Sequence, residues 1–134
     1  MTHTICDIGV ASQIGKYSDA IEVGPNMRWL ITSGTPGLSA AGGLADDTVG
    51  QAELAWQNIV NLLAKADMTV ADIVKVTQYL TRAEDIKAYT EVRARFLGEN
   101  RPASMLLVIP QLVWPEILVE VEIIAAKTGL RANF

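Results

Sequence analysis

The stretch "LVEVEIIAA", residues 118–126, constrains the fold most, because it sets Glu120 and Glu122 two residues apart inside one of the most apolar parts of the chain. Side chains alternate along a strand, so Glu120, Glu122 and Ile124 face one way and Val119, Val121 and Ile123 the other. The valines and Ile123 belong in a core. A lone carboxylate does not stay dry and charged; burial is costly enough that it shifts its pKa and neutralises instead. The glutamate face is therefore either wet, or built around a ligand or a partner.

Size sharpens that choice. The chain has 134 residues, of which 50% are hydrophobic, and its mean hydropathy is +0.25. This fits one domain spanning residues 1–134. A sphere this small has too much surface to hide so much apolar area alone, which predicts a homo-oligomer. The net charge is −4 and the eleven basic residues are scattered, which argues against nucleic acid, since phosphate binding needs a concentrated basic stripe. "MTHTICDIGVAS" at the start lacks the basic segment and apolar run of a signal peptide. No apolar run approaches the roughly 20 residues that span a bilayer. The single cysteine, Cys6, excludes an internal disulfide. A cytoplasmic protein without a membrane partner is the expectation.

Along the chain, "ICDIGVAS" and "YSDAIEVG" read as short strands, with a turn at Gly24, Pro25 and Asn26. "MRWLITSG" reads as a third strand, followed by "TPGLSAAGGLADD", a small-residue loop expected to be mobile. A helix should begin near Asp47 or Thr48, since Thr48 and Gln51 have capping-box spacing. Ala52, Ala55, Ile59, Leu62, Leu63 and Ala66 mark its inward face. "IVKVTQYLT" is a fourth strand, with Val74, Val76 and Leu80 on one side. Thr81 and Glu84 repeat the capping spacing before a second helix with Ile86, Tyr89, Val92 and Phe96 inward, ending at Gly98. "PASMLLVI" and "EILVEVEIIAA" are the last strands. The expected α+β architecture has both helices on one face of a single mixed sheet, leaving the other face for copies of the chain to cover.

The blocks "IGKYSDAIEVG", "WLITSGTPG", "ADIVKVTQYLT" and "RPAS…VEVEIIA" resemble the Rid family (reactive intermediate deaminases, also called YjgF-like or endoribonuclease L-PSP proteins). The resemblance runs from about Ile14 to Lys127. It implies a chorismate-mutase-like fold, a homotrimer with a central β-barrel, and small-molecule clefts between neighbouring subunits. It also implies hydrolysis of 2-imino or 2-enamino acids to 2-keto acids and ammonia, without metal or organic cofactor.

In that comparison Tyr17 matches a cleft tyrosine, Ser33 and Gly34 match the Ser-Gly after the third strand, and Glu120 matches the carboxylate credited with positioning water. Three positions depart from the pattern. Ser104 stands where active deaminases carry an arginine that clamps the substrate carboxylate, and a hydroxyl has neither its charge nor its forked donors. Thr90 replaces an asparagine and Leu106 a cysteine. Arg101, three residues before Ser104, is expected to point to the other face.

Each candidate has a plainer reading. Glu120 is a cleft base, or a solvated or interface glutamate paired with a neighbour's cation. Glu122 reads as structural. Ser104 has no activating base, because the only histidine, His3, lies on a terminus expected to fray, so it reads as a polar pocket wall. Tyr17 binds ligand or packs at a subunit boundary. Trp114 walls the cleft or packs at an interface. Cys6 reads as a buried small hydrophobe. One histidine and one cysteine are too few for a metal site, and no Gly-Lys-Ser/Thr makes the glycine-rich loop a phosphate loop.

Two functions follow. The first is a Rid-like hydrolase or deaminase of imine or enamine compounds with altered substrate choice. The second is a trimer that binds or senses a small ligand without catalysis. A ribonuclease ranks below both for want of a basic stripe and a catalytic histidine.

Overall fold

The computed structural model describes residues 3–130. Among them the chain runs β1 (Thr4–Cys6), β2 (Ala20–Glu22), β3 (Met27–Ile31), β4 (Thr35–Pro36), α1 (Thr48–Lys65), β5 (Ile73–Leu80), α2 (Ile86–Leu97), β6 (Ala103–Val108) and β7 (Val119–Thr128).

The expected α+β layering holds. Strands β3, β7, β5 and β6 lie side by side in that order, with β4 also pairing with β7. Only the β5–β6 pair is parallel, because α2 connects those strands as a crossover. Strand β7 alternates as its sequence demands: Val119, Val121 and Ile123 are buried while Glu120, Glu122 and Ile124 are half-buried. Both helices cover the valine face. From α1, Ala52, Ala55, Trp56, Ile59 and Leu63 are buried in one cluster with Tyr89 and Val92 of α2.

The opposite face carries large apolar side chains in the open. Trp29 is 54% exposed, Ile31 72%, Met105 51% and Leu107 38%. Met105 and Leu107 pair with Thr77 and Tyr79 of β5, which pair in turn with Glu122 and Glu120. Both carboxylates thus stand in a greasy, uncovered surface.

Several local expectations need correction. Strands β1 and β2 form a separate two-stranded ribbon rather than joining the main sheet. Residues after Cys6 leave strand geometry because the Asp19 carboxylate accepts the backbone N–H groups of Ile8 and Ala11, each at 2.8 Å. These bonds and the peptide N–H groups of Gly9 and Val10 hold the Asp19 pKa below the usual range, with the Ile8 bond the largest cause. Cys6, on the ribbon, is exposed rather than buried. His3 is buried, its Nε2 2.8 Å from the Ala126 carbonyl, and does not fray.

The cap of α1 is Asp47, whose carboxylate accepts from Gly50 N–H; Thr48 instead donates to Asp85 at 2.6 Å. Gln51, far from capping, is buried and bonds three stretches together: its amide donates to the carbonyls of Ala45 and Glu116 and accepts from Leu118 N–H. A short 3-10 turn at Ala83–Asp85 precedes α2, with no side-chain cap. The segment expected to be mobile after β3 is anchored, since Asn58 donates to the carbonyls of Pro36 and Leu38. Gly37 lies so close to α1 that an added Cβ would sit 2.0 Å from the Gln51 carbonyl oxygen.

Candidate functional site

The candidate residues other than Trp114 fall into two groups on opposite faces of the sheet. The first surrounds Glu120. After β3, Thr32 exchanges bonds with Ile123, its hydroxyl accepting from Ile123 N–H and its own N–H donating to the Ile123 carbonyl. Ser33 and Gly34 then cross the Glu120 side chain. A Cβ added to Gly34 would lie 3.1 Å from Glu120 Oε1, a tight contact that the carboxylate would have to shift slightly to relieve. Ser33 is exposed, and its carbonyl accepts from the Thr35 hydroxyl.

Desolvation raises the Glu120 pKa above the ordinary value, and the nearby negative Glu122 adds to it. Glu122 has a structural partner, accepting from the Tyr79 hydroxyl at 2.7 Å. That bond is the main reason the Tyr79 phenol titrates above its usual range. Glu120 is thus a carboxylate held partly out of water with no hydrogen bond from Tyr79, suited to taking or steering a proton.

The second group lies on the helix side at the β6 edge. Tyr17, Thr90, Ser104 and Leu106 line one cavity of about 320 Å³, together with Ile14, Gly15, Ile86, Met105 and Arg93. Four of the eight expected site residues therefore meet. Ile86, expected in the core stripe of α2, is 37% exposed and walls this cavity instead. An adjoining cavity of about 270 Å³ shares Ile14, Gly15, Thr90 and Arg93.

Below this wall runs a buried polar chain. Trp56 Nε1 donates to the Tyr89 hydroxyl at 3.2 Å, which donates to Gln78 Oε1 at 2.7 Å. Arg93 donates to the same oxygen at 2.9 Å. The Gln78 amide nitrogen donates to Ser104 Oγ at 3.1 Å and to the Met105 carbonyl at 2.8 Å.

Trp114 sits between β6 and β7, 48% exposed, and does not line this cavity. Arg101 does not line that cavity, although its guanidinium donates to the carbonyl of Tyr17 at 3.3 Å. It pairs with Asp7 at 2.9 Å, and Ser18 Oγ donates to its carbonyl. Arg101 borders a different cavity with His3 and Ile5. Among the described residues no three His, Cys, Asp or Glu side chains cluster to hold a metal ion, and no helix is long and apolar enough to cross a membrane.

Sequence reasoning missed Gln78 and Arg93. Gln78 carried a readable signal: a polar residue at an inward position between Val76 and Leu80 needs buried partners. Arg93 follows Thr90 by three residues, hence on the same side of α2.

The profile described as Endoribonuclease L-PSP matches residues 9–127. This chain belongs to the Rid family. A RutC family protein of Pyrococcus horikoshii is 32% identical over 116 residues, covering 85% of this Rid protein and 89% of that one. The 2-iminobutanoate/2-iminopropanoate deaminase of Salmonella typhimurium is 27% identical over 131 residues, 95% of this chain and 99% of its own length. A conserved Rid protein, YyfB from Yersinia pestis, superposes with a TM-score of 0.83 over 95% of this chain and all of that one; at 23% identity the likeness is one of fold.

Proposed function

We propose that this Rid protein is a hydrolytic deaminase of small imines or their enamine tautomers, acting in clefts between neighbouring copies of a homotrimer. The observation that carries the reading is the split site. Glu120 under Gly34 faces away from the helices, while Tyr17, Thr90, Ser104 and Leu106 wall a cavity on the helix side. One copy cannot bring these groups onto one substrate. A neighbour can, and the exposed Trp29, Ile31, Met105 and Leu107 give copies a reason to associate around that face. The Salmonella relative's name supplies the chemistry that such a cleft would perform.

In the proposed reaction Glu120 accepts a hydrogen bond from water and directs it at the C=N carbon. The C–O bond forms, the proton passes to nitrogen, the C–N bond breaks, and a carbonyl compound and ammonia leave. No electrons are gained or lost, so the step balances without an oxidant or reductant. The test is ammonia release from imines generated from amino acids. Glu120→Gln should retain ligand affinity and lose at least about a hundredfold in turnover, the usual contribution of a positioned acid–base group.

A second reading, a small-molecule-binding trimer without catalysis, draws on Ser104, which accepts from Gln78 and has no base beside it. Thermal shift against a metabolite panel with no turnover of any imine would favour it.

A further inference from the structure

The cavity wall holds one charged side chain, Arg93, and the bonds around it fix which way its neighbours point. Arg93 only donates and the Met105 carbonyl only accepts, so the Gln78 amide has one orientation, oxygen toward Arg93 and nitrogen toward Met105 and Ser104. Ser104 Oγ must therefore accept from Gln78, which leaves its own O–H to donate. Thr90 Oγ1 is committed to the Lys87 carbonyl.

The Arg93 guanidinium stands 5.7 Å from the centre of the Tyr89 ring and in no ion pair among the described residues. Lys16, in the adjoining cavity, is paired with Glu99 at 3.2 Å. Gln78 is neutral, so it aims Arg93 without cancelling its charge. With five N–H donors and one bond to Gln78, the guanidinium keeps donors for a ligand. The wall thus offers a positive fork and a hydroxyl donor, and no acid lines the cavity.

We infer that Arg93 anchors a substrate carboxylate in this cavity, with Ser104 as a second donor and Gln78 as the positioning residue. The anchor enters from α2 rather than from β6, the strand on which the family resemblance places the arginine. For the identity of the substrate this rests on the deaminase reading; the seat of the anion does not.

The test is calorimetric titration of 2-oxobutanoate, its neutral amide and inorganic phosphate into the assembled protein, using wild type, Arg93→Gln and Arg93→Lys. Losing Arg93 leaves Gln78 Oε1 bonded to Tyr89, so the variants should fold, and their melting curves check this. Arg93→Gln should weaken 2-oxobutanoate at least about tenfold while sparing the amide, with Arg93→Lys in between because it keeps charge without the fork. Undiminished 2-oxobutanoate binding by folded Arg93→Gln would overturn the inference, as would equal losses for acid and amide, or tighter wild-type binding of phosphate than of 2-oxobutanoate. If the acid binds through Arg93 but no imine releases ammonia, the anchor stands and the deaminase reading falls. If ammonia release from 2-iminobutanoate is unchanged in Arg93→Gln, the reverse holds.

Discussion

At the scale of single residues, Glu120 is tuned against the fold. Its pKa is raised by desolvation first and by Glu122 second. The folded chain therefore holds the Glu120 proton more tightly than the unfolded chain does. That contribution to stability is complete below the unfolded value and disappears as pH rises through the folded one. At neutral pH the charged group opposes folding, so Glu120→Gln should melt at a higher temperature than wild type at pH 7 while losing turnover. A lower melting temperature would mean that a cation pairs with Glu120 in the assembly. Turnover should also fall on acidification through a pKa above the ordinary glutamate value, a limb absent from residual Glu120→Gln activity. The alternation that isolates Glu120 and Glu122 was legible in the sequence. The arrangement of Gln78, Arg93 and Ser104 was not, since it joins three elements and is set by packing rather than by spacing.

At the scale of elements, the anchoring of the segment after β3 decides where Gly34 lies over Glu120. Gly37 is pressed against the α1 backbone at Gln51, and backbone cannot yield as a side chain does. Gly37→Ala should destabilise the protein by about 1–3 kcal/mol or more, measured by urea unfolding. A neutral effect would show that the segment is loosely docked. Within the core, Tyr89→Phe removes the hydroxyl joining Trp56 to Gln78 and strands Trp56 Nε1, at a cost of about 1–3 kcal/mol. Both helices and the long strands β3, β5, β6 and β7 were readable, because hydrophobic periodicity over 5 to 18 residues is a strong signal. The caps were misread because Asp47 competes with Thr48 for the same role and wins. The ribbon of β1 and β2 escaped notice because three-residue strands have too little periodicity to show their partners.

At the scale of the whole molecule, an apolar sheet face bearing two carboxylates is unstable in isolation and useful once covered. Sedimentation should give three copies, and Ile31→Lys, at a site 72% exposed in one chain, should shift the protein toward smaller species, since a buried unpaired charge is costly. The excess hydrophobicity and the sheet layering announced this surface from composition alone; which residues meet across it did not, because a sequence shows one copy. The most direct measurement of the central claim is complementation between two defective chains. Glu120→Gln removes the base, and Thr90→Trp fills the cavity. When the two are unfolded together and refolded at equal amounts, random mixing should restore about one quarter of wild-type ammonia release, because that share of clefts pairs an intact Glu120 with an intact cavity from another copy. Mixtures no more active than either variant alone would contradict a site shared between subunits.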